Sequence, residues 1–329
     1  MNFFAPLVGQ NQAVELLTQA VAQNRVAPAY LFTGPEGVGR SIAARCFVEL
    51  LFCTHLAKLN SNTPADEANL KHGFALQKRL AAGNHPDLLW VQPTYLHQGE
   101  RLSAAQATEK GVKRKAPPQI RLEQIREIGQ FLGRYPLEAP RNVVVLEAAE
   151  TMAEAAANGL LKTLEEPGQA TLILMAPSES SLLPTLVSRC QRIPFYGLDQ
   201  AAMKQVLLQT GHEEILKHPP VLAIAQGSPG NAIASFTQLA TIPPDLLQDI
   251  TQLPKSPRNA LQLAKKIDKT LDTEAQLWLV DYLQHSYWQQ FLDRKISKLP
   301  LQHLEKAREY LQGYAQPRLV WEVTLLNMI

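Results

Sequence analysis

The chain has 329 residues, enough for two or three domains of typical size, about 150 residues each. Apolar residues make up 46% and charged residues 19%, and 32 basic against 30 acidic side chains leave a net charge of +2, so bulk charge alone does not point to a nucleic-acid partner. Cys46, Cys53 and Cys190 form no C-x-x-C pair, which argues against a disulfide framework and a cysteine zinc site. Since neither a secretory signal nor an apolar run of about 18 residues is visible, we expect a cytoplasmic protein without a membrane partner.

The first half of the chain alternates short apolar runs with amphipathic stretches, the pattern of a parallel sheet covered by helices. We predict strands over residues 29–33, 88–92, 143–146 and 172–175. We predict helices over residues 10–22, 41–51, 122–132 and 153–164. The sequence therefore predicts an α/β domain.

The segment from about 97 to 119 interrupts this alternation. It contains Gly, Ser, Ala and Gln and the basic residues Lys110, Lys113, Arg114 and Lys115, and it offers almost nothing to bury. We predict a mobile surface insertion. Four charges in such a loop more often face solvent than bind DNA phosphates, so we do not assign DNA binding to it.

Strand-like runs end near residue 196, and the rest of the chain has helical periodicity. Breaks at Pro243-Pro244 and at 227–230 divide it further. We predict three domains: an α/β domain over 1–196, a small helical domain over 197–241 and a helical C-terminal domain over 242–329. The tail aromatics, Trp278, Tyr282, Tyr287, Trp288 and Trp321, are spaced for a buried or inter-subunit face.

The segment between the first predicted strand and the second predicted helix has the P-loop spacing G-x-x-x-x-G-K-[ST], with arginine in place of lysine. Its residues are Gly34, Pro35, Glu36, Gly37, Val38, Gly39, Arg40 and Ser41. The glycines allow backbone N–H groups to face phosphate oxygens, and the serine hydroxyl suits magnesium. A guanidinium is wider than the compact ammonium it replaces, so we expect at most weak binding of ATP and magnesium.

Hydrolysing P-loop proteins place Asp-Glu after a second apolar strand. Here the strand 143–146 is followed by Glu147 and Ala148. Glu147 could contact a metal-bound water, but an alanine cannot orient or polarise an attacking water. We therefore expect no ATP turnover by this chain alone.

Four segments together resemble the bacterial clamp-loader family of AAA+ P-loop proteins, and within it the delta-prime subunits of DNA polymerase III. They are LVGQ at 7–10, HPD at 85–87, AAANGLLKTLEEP at 155–167 and LPTLVSRC at 183–190. The resemblance covers about two thirds of the chain. It implies an AAA+ α/β domain followed by a small helical lid and an all-helical C-terminal collar.

The resemblance implies that Ser188 and Arg189 belong to a Ser-Arg-Cys motif, whose arginine reaches ATP bound on a neighbouring subunit. ATP-hydrolysing members also carry an arginine in a Gly-Ser-x-Arg segment of the second domain. This chain has Gly230 there, after Ser228 and Pro229, a combination that also predicts a helix start. The missing loop lysine, glutamate and second-domain arginine separate it from the hydrolysing gamma/tau subunits.

Many family members bind zinc through four cysteines between the P-loop helix and the HPD segment. Only Cys53 lies in a suitable position here, and residues 60–82 offer Lys71, His72, Phe74 and Gln77 instead. His55 and His72 are isolated histidines, so we predict no zinc and no other metal site.

The sequence thus predicts a non-hydrolysing, delta-prime-like clamp-loader subunit that supplies Arg189 to a neighbour. The resemblance implies gamma/tau and delta subunits as partners, with primed DNA and the sliding clamp contacted through the assembly. The alternatives are an ATP-hydrolysing gamma/tau-type subunit or another replication-associated AAA+ ATPase. A DNA-binding module has little support from the balanced charge.

Overall fold

The structure is a computed structural model, and it describes residues 2–59, 76–80, 82–110, 117–166 and 168–329. The chain divides into two compact units, Met1–Gly197 and Leu198–Ile329. The first is an α/β unit and the second is helical, as the sequence predicts. The finer division of the second at residue 241 stays a prediction.

The first unit is built on a parallel five-stranded sheet. Its strands are β1 Ala29–Thr33, β2 Leu88–Val91, β5 Asn142–Leu146, β6 Ala170–Ala176 and β7 Gln191–Pro194, in the order β2-β5-β6-β1-β7. Two of the three inner strands, β5 and β6, are fully buried, which explains their continuous apolar runs. The four predicted strands are confirmed, and a fifth at the edge completes the sheet.

Helices cover this sheet because their apolar faces need a partner to bury them. Ile125, Ile128 and Leu160 pack with Val144 and Leu172 of the sheet in one core. The four predicted helices are confirmed, with α2 running further than predicted. The bounds are α1 Asn11–Ala22, α2 Arg40–Leu59, α3 Ala104–Glu109, α4 Leu122–Leu132, α5 Glu154–Glu165 and α6 Pro184–Val187, with 3₁₀ turns at Ala149–Thr151 and Glu179–Ser181.

The segment predicted as an insertion with almost nothing to bury contains regular structure. Strands β3 Tyr95–His97 and β4 Glu100–Leu102 form an antiparallel hairpin, and α3 follows it. Leu102 and Ala107 are buried, so the prediction is wrong for these two residues. The hairpin turn, Gln98 and Gly99, has positive φ at both positions, as type I′ turns require. Lys110 pairs with Glu100 at 3.0 Å, whereas Lys113, Arg114 and Lys115 lie outside the described residues.

The second unit is helical throughout and packs around large aromatic side chains. Tyr287 and Trp321 are fully buried, and both polar groups are satisfied: the Tyr287 hydroxyl donates to the carbonyl of Ile250 at 2.7 Å, and Trp321 Nε1 donates to Gln276 Oε1 at 2.8 Å. Trp288 is exposed. The bounds are α7 Gln200–Gln209, a 3₁₀ turn Glu213–Lys217, α8 Pro219–Ala225, α9 Pro229–Thr241, α10 Pro244–Ile250, α11 Pro257–Thr270, α12 Thr273–Leu292, α13 Leu301–Gln312 and α14 Pro317–Leu326.

Within the described parts of the chain, every helix is too short or too polar to cross a membrane.

Candidate functional site

The P-loop segment lies between β1 and α2, the strand–loop–helix placement predicted from its spacing. Three glycines give the loop its path, with φ of 150° at Gly34, 75° at Gly37 and 107° at Gly39. A Cβ on Gly34 would lie 2.3 Å from the carbonyl oxygen of Phe195, and one on Gly39 would lie 2.7 Å from Leu7 Cδ1. The backbone carbonyl of Phe195 requires glycine at position 34, and the φ of 107° favours glycine at position 39 because the Leu7 side chain could move, with or without a nucleotide.

The side chains that would hold magnesium bind each other. Ser41 Oγ donates to Glu147 Oε1 at 2.9 Å, and Gln92 Nε2 donates to Glu147 Oε2 at 2.7 Å. Both carboxylate oxygens of Glu147 thus accept a protein donor. Because β1, β2 and β5 run parallel, the residues that follow them meet at the carboxyl edge of the sheet.

Arg40 lies partly buried beside three acidic residues. Burial lowers the pKa of its guanidinium, and the negative charges of Glu150, Glu36 and Glu147 oppose that shift. One terminal nitrogen, Nη1, is buried without a hydrogen-bond partner. Arginine stays protonated in such surroundings, so this site holds a fixed positive charge where the P-loop spacing expects lysine.

Ala148, the residue after Glu147, occupies the position where hydrolysing P-loop proteins carry a glutamate. Ala148 has φ 48° and ψ 54° and precedes the 3₁₀ turn Ala149–Thr151. Its methyl group can neither accept a proton nor orient a water. The loop backbone fits an anion, and the oxygens of Ser41 and Glu147 lie where they would hold magnesium, but Ala148 does not fit a hydrolytic site, and we derive no hydrolytic step from it.

Arg189 and Ser188 lie at the opposite edge of the sheet, immediately before β7. Arg189 Nη2 donates to Glu165 Oε1 at 2.7 Å, and Nη1 donates to the carbonyl oxygen of Thr185 at 3.0 Å. Ser188 Oγ donates to the same carbonyl oxygen at 3.1 Å. Burial raises the pKa of the neighbouring Cys190 thiol to about 11, so this cysteine stays protonated and is a poor nucleophile.

The two predicted groups of site residues are therefore not brought together. Gln191, which begins β7, pairs with Tyr30 near the start of β1, whereas the P-loop follows Thr33 at its end. The five residues of β1 separate the two edges by roughly 16 Å at about 3.3 Å per residue. Arg189 is thus placed away from the phosphate loop of its own chain.

The HPD segment holds a loop in place. Asp87 is buried, and its carboxylate accepts three backbone N–H bonds, from Leu137, Glu138 and Ala139, each at 2.7 Å. Burial lowers the pKa of the adjacent His85 imidazole and favours its neutral form. Asp87 therefore fixes the backbone that leads into β5.

Gly230 lies in the first turn of α9. Ser228 Oγ accepts a hydrogen bond from the backbone N–H of Asn231 at 3.1 Å, and Pro229 occupies the first helical position. The predicted helix start is confirmed. With no side chain, Gly230 cannot supply a guanidinium.

All three cysteines are free. Among the described residues, no three His, Cys, Asp or Glu side chains are grouped so that they could hold a metal ion. Lys71, His72 and Phe74 lie outside those residues, so the absence of zinc stays a prediction.

Comparison with known proteins assigns the two units to one family. Residues 9–199 match the family model described as DNA polymerase III, delta subunit, which is more than half of the chain. Residues 201–328 match the model of the cyanobacterial DNA polymerase III delta prime C-terminal domain. The chain belongs to the DNA polymerase III delta prime family.

Two relatives of this family show how far the similarity extends. The delta prime subunit of Bacillus subtilis is 29% identical over 201 residues, covering 61% of this chain and 51% of that protein. The delta prime subunit of Pseudomonas aeruginosa is 31% identical over 217 residues, covering 65% and 57%. The matched region thus spans only about half the length of these curated delta prime proteins.

A solved structure supports the fold. The gamma subunit-related DNA polymerase III protein of Thermotoga maritima superposes with a TM-score of 0.50 at 15% identity, covering 96% of this chain and 98% of that one. At this identity the likeness concerns the fold alone, an α/β domain followed by helices.

Two residues of the site were missed by sequence reasoning. Gln92, just after β2, and Glu165, at the end of α5, each bind a predicted site residue. Glu165 lies inside the LEEP segment that carries the family resemblance, which is the signal that could have found it. Gln92 has no comparable motif.

Proposed function

We propose that this chain is a non-hydrolysing clamp-loader subunit of the DNA polymerase III holoenzyme, and that Arg189 acts as an arginine finger on ATP bound by a neighbouring subunit. The observation that carries the proposal is the position of Arg189. It lies at the amino edge of the sheet, whereas the chain's own P-loop follows β1 at the carboxyl edge. A guanidinium there can serve a phosphoryl group only on another molecule.

The chemistry of the arginine suits this role. A planar guanidinium stabilises charge that develops on the phosphoryl oxygens during transfer, and arginine fingers supplied in trans raise kcat by about 10³- to 10⁵-fold in other phosphoryl-transfer systems. The side chain is about one third exposed, so it is accessible from outside the subunit.

The chain's own P-loop supports the non-hydrolysing part of the proposal. Ala148 offers no base, and Gly230 offers no guanidinium. Any binding of ATP and magnesium at this loop is weak in this proposal, because Arg40 replaces the P-loop lysine. We also propose that this chain binds no zinc.

The proposed partners follow from family membership. They are the gamma/tau and delta subunits, with primed DNA and the sliding clamp engaged by the assembly in the cytoplasm. The net charge of +2 agrees with a protein whose contacts are mainly to other subunits.

Arg189→Ala in a reconstituted clamp loader tests the finger. The affected ATP site should lose about 10²-fold or more in kcat, because a transition-state contact is removed. DNA-stimulated hydrolysis and clamp loading are measured with gamma/tau, delta, clamp and primed DNA. Arg192→Ala is the matched control, since Arg192 is an exposed arginine three residues away that pairs with Glu179 at 2.9 Å.

Unchanged hydrolysis and loading by the Arg189→Ala complex would refute the finger. Magnesium-dependent ATP hydrolysis by the purified chain alone would instead favour the gamma/tau-type alternative. The two assays are independent, so each half of the proposal can fail separately.

A further inference from the structure

Among the described residues, Glu165 is the one carboxylate that pairs with the guanidinium of Arg189. Oε1 accepts from Nη2 at 2.7 Å, while Nη1 on the other side donates to the Thr185 carbonyl at 3.0 Å. A guanidinium carries five N–H donors in a rigid plane. Contacts on both terminal nitrogens therefore fix the orientation of that plane.

The fold brings these groups together from different elements. Glu165 is the last residue of α5, which leads into β6, and Arg189 follows α6, which leads into β7. Both chain segments therefore reach the amino edge of the sheet. The backbone of Arg189 is also held, because its N–H donates to the Leu186 carbonyl at 3.1 Å.

The exposure of Arg189 and Glu165 indicates that their ion pair contributes little to the stability of the fold. The side chains of Arg189 and Glu165 are 37% and 54% exposed. Exposed ion pairs add little to stability, because solvent screens the attraction and two long side chains lose rotamer entropy. Without Glu165, the arginine would have to lose that entropy when it meets the neighbouring subunit's phosphates.

We infer that Glu165 is a positioning residue, which holds the guanidinium of Arg189 in the orientation that a neighbouring ATP site requires. The inference rests on the proposed function of Arg189. Pre-ordering a reacting group acts on the transition state, so it changes kcat more than KM. Glutamine at this position keeps an oxygen that can accept from Nη2 and should preserve the orientation.

The test compares Glu165→Ala, Glu165→Gln, Arg189→Ala and the Arg189→Ala/Glu165→Ala double variant in the reconstituted clamp loader. We expect Glu165→Ala to lower kcat of the affected site about tenfold with KM for ATP within twofold, and Glu165→Gln to stay within about twofold of the parent. The double variant should be no slower than Arg189→Ala, since Glu165 acts only through the arginine. Glu179→Ala removes the carboxylate partner of Arg192 and is the matched control.

The results distinguish failure of the positioning role of Glu165 from failure of the finger role of Arg189. Loss of activity in Arg189→Ala but not in Glu165→Ala overturns the inference and leaves the finger intact. A faster Glu165→Ala complex, an equal loss in Glu165→Gln, or a further loss in the double variant overturns it as well. No loss in Arg189→Ala overturns the finger, and the inference with it.

Discussion

Asp87 and Glu165 accept hydrogen bonds of the same length in opposite surroundings. Asp87 is 1% exposed and accepts three backbone N–H bonds at 2.7 Å, whereas the Glu165 side chain is 54% exposed and accepts one bond from Arg189 at 2.7 Å. Bond length therefore does not distinguish a residue that stabilises the fold from one that presents a side chain. Burial does, because a buried donor that loses its acceptor cannot turn to water.

This difference in burial determines which of the two regions can change its contacts without loss of stability. The cluster at Asp87 fixes a loop and tolerates little change. The pair at Arg189 can be broken at small cost to the fold, because both side chains are exposed. Glu165 and Thr185 accept from only two of the five guanidinium N–H groups, so the arginine can contact a further anion while Glu165 still holds it.

Asp87→Ala should cause the largest loss of stability. We expect the free energy of unfolding to fall by about 3 kcal/mol, because three N–H groups lose a charged acceptor in a buried site. Urea unfolding followed by circular dichroism measures the change. Glu127→Ala, which removes only the exposed partner of Arg101, is the control and should change stability by less than about 0.5 kcal/mol. Equal losses in the two variants would contradict the comparison.

The same loss should depend on pH. Burial raises the pKa of Asp87, but the three N–H bonds, together with the positive charge of His85 when its imidazole is protonated, lower it by more than burial raises it. Its folded pKa therefore lies below the ordinary value. An acid whose folded pKa is depressed stabilises the fold above its unfolded pKa, about 3.9, and loses that effect as pH falls through the folded value.

The stability gap between the parent and Asp87→Ala should therefore narrow as pH falls below about 4. Urea unfolding of both proteins at and below about pH 5 measures it, and titrating groups that are not coupled to Asp87 cancel in the difference. A gap that widens below about pH 4 would show that Asp87 is not the charged acceptor.

Ser41→Ala should have an intermediate effect. Losing the hydrogen bond to Glu147 should cost about 1 kcal/mol, since the contact is partly buried and Gln92 still binds the carboxylate. Ser180→Ala, at an exposed serine that contacts Ser178, is the control. Thermal melts with and without magnesium and ATP add a second readout: a nucleotide-dependent stabilisation that Ser41→Ala abolishes would contradict the proposed weak site.

Most of the α/β framework could be predicted because each inner strand is a continuous apolar run between turn signals. The hairpin of β3 and β4 was missed because its strands have three residues each and their side chains are mostly not buried. The only local signal was Gln98-Gly99, which is a weaker turn signal than Asn-Gly or Asp-Gly.

The candidate site also has parts that a local sequence pattern predicts and parts that depend on contacts between distant residues. The P-loop is one continuous segment, so its spacing is enough to predict it. The bond from Ser41 to Glu147 joins residues 106 apart in sequence and depends on the order of the parallel strands, with β6 between β1 and β5. The pair of Arg189 and Glu165 spans 24 residues and requires α5 and α6 to lead to the same sheet edge, which no local pattern shows.

The smallest stability effect should come from Arg189→Ala and Glu165→Ala, at about 0.5 kcal/mol or less each. The reason is exposure, since both groups find water when the pair is broken. Urea unfolding of the isolated chain measures this, with Asp87→Ala as the reference for a large loss. A loss of 2 kcal/mol in either variant would mean that the pair supports the fold, and reduced clamp-loader activity could then reflect a damaged subunit. A loss near zero, combined with slower hydrolysis in the complex, would attribute that activity to the position of the guanidinium.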